Sequence, residues 1–210
     1  MFPGSRPAGV LSLGAATPQA IGAPTRVRLA DAAAAHAANY HLAMVSDRIA
    51  ALAFLAVGLH FFAGGLAQAA GLIVLGYMVF GLLEYVVHRW ILHGPLPFTA
   101  RDHARHHAQP TALIATPAFV VVIAALALWG LASLVSTGGV AALGVFGMYA
   151  GYNYFALLHH WEHHHRRDTG RAYWRQLDRQ HHLHHRRQSV NFGVSTTFWD
   201  RLLGTFHPTD

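Results

Sequence analysis

Apolar residues fall into four long blocks, separated by short runs dense in Arg and His. The blocks run from Ile49 to about Ala70, Gly71 to about Val87, Leu113 to Val135, and Val140 to about Leu158. About 20 residues at 1.5 Å of helical rise match the ~30 Å hydrocarbon layer of a bilayer. Within the first block only His60 and Gln68 are polar. The pattern predicts an all-α integral membrane protein with about four transmembrane helices, at 49–70, 71–87, 113–135 and 140–158. Gly64 and Gly65 permit a tight turn in the first hairpin, and Ser136–Gly139 make one in the second. The polar remainder, 88–112 and 159–210, is expected to form a helical cap, so that 47–210 is one membrane domain. Residues 1–46 are expected to be a disordered or interfacial segment. Pro3, Pro7, Pro18 and Pro24 interrupt its start, and the Ala-rich stretch from Arg26 to Ser46 favours helix.

Charge then orients these elements. The turns after the first and third blocks carry no charge, whereas the N-terminal region, the connection after the second block and the C-terminal region carry Arg. The positive-inside rule places both termini and the cap in the cytoplasm. The formal charge of +6 comes entirely from Arg, with no Lys. It reads as orientation and contact with anionic membrane lipids, and nucleic acid is not an expected partner. Absence of Cys excludes disulfides, thiolate sites and iron–sulfur clusters. No continuous apolar core precedes Thr25, so no cleavable signal peptide is expected.

The candidate chemistry lies in the cap. Ten histidines stand at or beyond the predicted cytoplasmic span ends: His88, His93, His103, His106, His107, His159, His163, His181, His184 and His185. His159 and His163 are four apart, and the two HxxHH runs have the i, i+3, i+4 spacing of one helical face. His88 and His93 are five apart, a poor fit to a straight helix, so a bend near Gly94–Pro95 is expected to return His93. Ten converging imidazoles cannot all be charged, and neutral ones are metal ligands. That number exceeds the needs of one ion and suits two. Imidazole suits iron, zinc or copper; Zn2+ generally binds more tightly than Fe2+, so zinc found in isolated protein need not be the working metal. Scarce carboxylates argue against a carboxylate-bridged bundle, and no HExxH is present.

Glu84 is expected to hydrogen-bond His88 or to pair with Arg89, and Asp178 to support His181 or His182. His36, His41, His60 and His207 read as packed or interfacial residues. His160, His164, His165 and His182 read as solvated or outer neighbours. A membrane metal-binding or transport protein is the non-enzymatic alternative; ligands at span ends rather than mid-membrane disfavour a transporter.

The segments EYVVHRWILH, HARHH, HHWEHH and HHLHHRRQSVNFGVSTTFWDRLLGT resemble the fatty acid hydroxylase/sterol desaturase superfamily of membrane di-iron enzymes, over roughly Leu82 to Phe206. The tail NFGVSTTFWDRLLGT and the approach GYNYFALLHH are most similar to the fatty acid 2-hydroxylase branch. The resemblance implies an oxygenase with two iron ions and O2 as co-substrate, hydroxylating a lipid acyl chain from the bilayer, free or in a sphingolipid, at C2. It implies an external electron donor, a ferredoxin or cytochrome b5-like protein with a reductase. It carries the ligand role onto the ten histidines above, with no catalytic or cofactor-binding residue beyond them. Two departures stand out: no segment has the length or motif of a cytochrome b5 domain, and the stretch from His93 to His103 is short for that branch. Sterol or carotenoid hydroxylation or desaturation on the same centre is the enzymatic alternative, the WDRLLGT tail arguing against carotenoid hydroxylases. Arg166, Arg167, Arg171 and Arg175 are expected either to set orientation and touch anionic lipid or to dock an acidic electron carrier.

Overall fold

A computed structural model describes residues 36–165 and 171–209, the side chains of Pro97 and Phe98 excepted. The expectations for residues 1–35 and for Arg166 and Arg167 lie outside the described residues. The chain forms α1 (Ala37–Phe61), α2 (Leu66–Val86) running on into a π-turn (Val87–Leu92), α3 (Pro97–Ala108), α4 (Ala118–Ser133), α5 (Gly138–His164), α6 (Ala172–Arg186) and α7 (Phe198–Leu202).

Among the described residues, three helices are long and apolar enough to cross a membrane: Ala37–Phe61, Leu66–Leu92 and Gly138–His164. The first starts well before the expected Ile49, because residues 37–46, at the end of the Ala-rich stretch, are continuous with the span. The first two blocks divide at 62–65 rather than after Ala70. Gly65 begins α2, and its N–H donates to Gln68 Oε1 at 2.9 Å, so the polar residue expected inside a span is a cap. In the third block, helix starts only at Ala118, after Pro117. Asn39 holds this entry: its Oδ1 accepts from Ala118 N–H at 3.1 Å and its Nδ2 donates to the Ala115 carbonyl at 3.2 Å. With 16 residues, α4 reaches about 24 Å, short of a full hydrocarbon layer.

Helix α5 packs against α2, α1 and α4. Small residues set its approach to α2. A Cβ on Gly76 would stand 2.1 Å from the Gly144 carbonyl oxygen, and one on Gly147 would stand 2.1 Å from that of Ile73. Small residues that let backbones meet are how helices associate where lipid removes the hydrophobic drive. Phe54, Ala142, Val145 and Tyr149 form the core on the α1 side. Asp47 is buried there and satisfied: Tyr149 Oη donates to its carboxylate at 3.1 Å, and Asn153 Nδ2 to its carbonyl at 3.3 Å. The outer faces of α1, α2 and α4 expose Leu52, Leu75, Phe119 and Leu131, as a lipid-facing surface does. α3, α6 and the segment after α6 cap one end of this bundle. α6 buries Leu177, Gln180, His181 and His184 on one face and exposes Arg179, His182 and Arg186 on the other.

Candidate metal centre

The cap brings all ten predicted imidazoles together in two groups. One consists of His88, His93, His103, His107 and His184, the other of His106, His159, His163, His181 and His185. In each group one nitrogen per residue lies within 4.8 Å of all the others.

Local helix geometry explains the sorting. His88 and His93 share a face because the helix widens into a π-turn there: His93 N–H donates to the His88 carbonyl at 3.1 Å, an i to i+5 bond. That turn, rather than a bend at Gly94–Pro95, aligns residues five apart. On α3, His103 and His107 are four apart and join the first group, while His106, one position round, reaches the second. On α6 the division reverses, with His181 and His185 in the second group and His184 in the first. α5 gives both His159 and His163 to the second. Each HxxHH run thus serves both groups, which ties them side by side.

The nitrogens converge as ligands do. His103 Nε2 stands 3.1 Å from His88 Nε2, 3.0 Å from His93 Nε2 and 3.1 Å from His107 Nε2. His93 and His184 Nε2 are 2.9 Å apart. In the second group His181 Nε2 is 2.8 Å from His163 Nε2 and 3.2 Å from His185 Nε2. One proton on one nitrogen cannot satisfy three acceptors. Two ligands bound at right angles to one ion at ~2.1 Å stand roughly 3.0 Å apart, so the spacing fits a cation at the focus of each group.

Backbone carbonyls select the tautomer on the first side. His88 Nδ1–H donates to the Phe192 carbonyl at 2.5 Å, and His184 Nδ1–H to that of Val190 at 2.8 Å. Each leaves a bare Nε2 facing its group, the ring orientation metal-bound histidines require. In the second group His181 Nδ1 and His185 Nδ1 have no hydrogen-bond partner among the described residues. A Glu162 carboxylate oxygen lies 4.0 Å from His181 Nε2. Burial, then neighbouring imidazoles, pushes His93 and His106 down to about 4. Burial likewise takes His184 down to about 3, against the opposing Val190 hydrogen bond. His103, His107, His181 and His185 are lowered by burial too. Neutral imidazoles at neutral pH are ready ligands.

Of two expected supporting roles, that of Glu84 differs and that of Asp178 falls on the second of its two candidates. Glu84 meets neither His88 nor Arg89. Its Oε1 accepts from the backbone N–H of Val194 at 2.6 Å and Ser195 at 2.9 Å, and Ser195 Oγ donates to Oε2. Arg89 donates to Tyr85 Oη at 2.6 Å and lies over the Trp90 ring. Asp178 faces exposed His182 at 3.6 Å, not His181. His160 Nδ1 is 2.7 Å from Tyr40 Oη, outside both groups, and His36, His41, His60, His164, His165, His182 and His207 belong to neither. Sequence reasoning missed Asp200 and the carbonyls of Val190 and Phe192. Asp200 sits within the WDRLLGT motif, the available signal; backbone carbonyls leave no trace in residue type.

Long apolar helices closed at one end by two five-imidazole pockets define a membrane-type helical protein with a histidine-rich candidate metal centre. The chain belongs to the fatty acid hydroxylase family, whose profile matches residues 73–205. It is 28% identical over 153 residues to a dihydroceramide fatty acyl 2-hydroxylase of Arabidopsis thaliana, covering 69% of this chain and 64% of that protein. It is 28% identical over 152 residues to the fatty acid 2-hydroxylase of Rattus norvegicus, covering 67% of this chain and 40% of that protein. The chain thus matches under two thirds of the length of these relatives. A solved structure of full-length scs7p, with only its hydroxylase domain visible, has the same fold: TM-score 0.68, 23% identity, 80% of this chain and 66% of that one covered.

Proposed function

We propose that the protein is a membrane oxygenase that hydroxylates a lipid acyl chain, of a fatty acid or a ceramide, at C2. The observation that carries this reading is the convergence of ten imidazoles in two adjacent pockets, in a chain whose family and relatives are acyl hydroxylases. The residues fit two ions. His88, His93, His103, His107 and His184 would hold one, and His106, His159, His163, His181 and His185 the other. A bound iron pair supplies the oxidising power, with O2, to take hydrogen from an unactivated C–H bond. The balance is one C–H bond, one O2, two electrons and two protons in, one alcohol and one water out.

The chain's own residues position and exclude. The Phe192 ring lies 5.5–5.9 Å from those of His88, His93 and His184, and Phe155 stacks on His159 at 5.6 Å, so aromatic faces fence the pockets from water. A small groove of about 60 Å³ between α2 and the tail, lined by Tyr77, Met78, Phe80, Thr196, Phe198 and Trp199, gives an acyl chain an apolar wall beside the cap but is well short of the volume that encloses a ligand. The pockets sit in a cap that the positive-inside rule places in the cytoplasm with both termini, and α4 serves as a short fourth span. Electrons come from a ferredoxin or a cytochrome b5-like protein with its reductase. A cleft of about 350 Å³ on the outer face of α6 carries Arg179 and Arg186 against one carboxylate, Asp178, a net positive lining that suits an acidic carrier.

The test is expression of wild type and His184→Ala in a lipid-producing host that makes no hydroxy fatty acids, followed by mass spectrometry of hydrolysed lipids. New 2-hydroxy fatty acids with wild type alone establish the activity. Their absence, with folded iron-loaded protein and a working reductase system, overturns it.

A further inference from the structure

The carboxylates of Glu84 and Asp200 hold the tail segment whose carbonyls meet two histidines: Asp200 takes the N–H of the peptide unit that carries the Phe192 carbonyl, and Glu84 takes the two N–H groups just beyond it. Asp200 is 1% exposed and Glu84 6% exposed. Asp200 Oδ1 accepts from Phe192 N–H at 2.7 Å and from Thr205 Oγ1 at 2.7 Å, and its Oδ2 accepts from Gly193 N–H at 2.7 Å. Glu84 takes the next two N–H groups, Val194 and Ser195. Four successive backbone donors are therefore held by two carboxylates from different parts of the chain. No side chain other than hydrogen fits at Gly193, where a Cβ would stand 2.1 Å from the Thr196 carbonyl oxygen.

Peptide planarity turns these bonds into an aim. In a trans peptide the C=O and the following N–H point in opposite directions. Gly193 N–H points at Asp200, so the Phe192 carbonyl of the same unit points away, onto His88 Nδ1. Asn191 N–H donates to the Thr205 carbonyl at 3.0 Å, so the Val190 carbonyl points onto His184 Nδ1. Asn191 supports this with positive φ (54°) and side-chain bonds to His207 N–H at 2.8 Å and to the His207 carbonyl at 3.0 Å. Thr205 bonds Asp200, closing the loop around one carboxylate.

We propose that Glu84 and Asp200 are positioning residues for one metal pocket only: through the tail they hold His88 and His184 in the Nδ1–H tautomer, bare Nε2 inward. The pocket of His106, His159, His163, His181 and His185 has no such dependence, since the carbonyl bonds and the Phe192 ring contacts fall on the first group. The inference rests on the reading that both groups hold metal.

The experiment titrates metal-stripped full-length protein in detergent with Zn2+, and reads bound metal per chain by mass spectrometry after gel filtration. Wild type is expected to retain two ions. Asp200→Asn and Glu84→Gln each put an amide NH2 against backbone N–H donors. They are expected to weaken one site ~10–100-fold, the range for lost outer supports of a ligand, and leave the other at wild-type affinity. The surviving site should vanish when His163→Ala is added and persist when His184→Ala is added. Thr205→Val, which removes one donor to Asp200, gives the same pattern more weakly and covers the case in which a carboxylate variant does not fold. Two ions bound at wild-type affinity in these variants, or equal weakening of both sites, overturns the proposal. Wild type binding no metal would instead overturn the metal-centre reading itself.

Discussion

The two imidazole pockets use the same residue type and are supported by different means. The pocket of His88 and His184 leans on backbone: two carbonyls of a polar tail fix two tautomers, and two buried carboxylates hold that tail, Asp200 at the Phe192 unit itself and Glu84 just beyond it. The pocket of His159 and His181 leans on helices, with four of its five imidazoles on α5 and α6 and Glu162 as a nearby carboxylate. One therefore depends on a loop threaded from the far end of the sequence, the other on regular i,i+4 spacing. Loops answer to every hydrogen bond that shapes them, whereas helices carry their own ladder.

The largest expected effect tests whether the pockets are unequal in function as well as in support. His184→Ala and His163→Ala should each lower hydroxylated product at least ~100-fold, since losing a ligand exceeds losing its outer partner. Product analysis of expressing cells reads this, and activity surviving either change would confine the chemistry to the other pocket. Next comes the seam between the two, because α2 carries part of one pocket and α5 part of the other. Gly147→Leu forces a side chain against the Ile73 carbonyl. It should cost about 3 kcal/mol in detergent unfolding and weaken both pockets together.

Acid supplies a third, graded test on metal-free protein. Unfolded imidazoles take up protons below about pH 6.5, whereas burial holds folded His93 and His106 down to about 4. Below pH 6.5 the unfolded chain binds more protons, so stability is lost as pH falls from about 6.5 toward 4. Unfolding midpoints that stay flat across that window would contradict the burial of the cap imidazoles. The smallest effect concerns a site away from both pockets. Tyr149→Phe removes one donor to buried Asp47 and should cost about 1–2 kcal/mol in the same unfolding assay, with metal binding unchanged.

Much of this was legible in the sequence, for reasons specific to each feature. Apolar blocks exposed the spans because lipid demands long uninterrupted runs. The first boundary shifted because the turn expected at Gly64–Gly65 ends the first span there, and Gln68, placed inside that span by its apolar neighbours, caps the next helix instead. Imidazole spacing exposed the faces that meet, since α3, α5 and α6 are regular helices. The five-residue step from His88 to His93 fell outside that rule, because π-turns have no compositional signature. Glu84 looked like a partner for His88 one turn away, but its donors come from Val194 and Ser195, over a hundred residues later. Long-range bonds to backbone N–H groups are invisible to residue type, and so the tail's role emerged only from the fold.

The most direct measurement is the metal content of the protein purified from iron-supplied cells, for wild type, His88→Ala and His159→Ala. Two ions per chain in wild type and one in each variant is the predicted result. A single ion in wild type, or loss of both ions on either substitution, would contradict a centre made of two separate five-imidazole pockets.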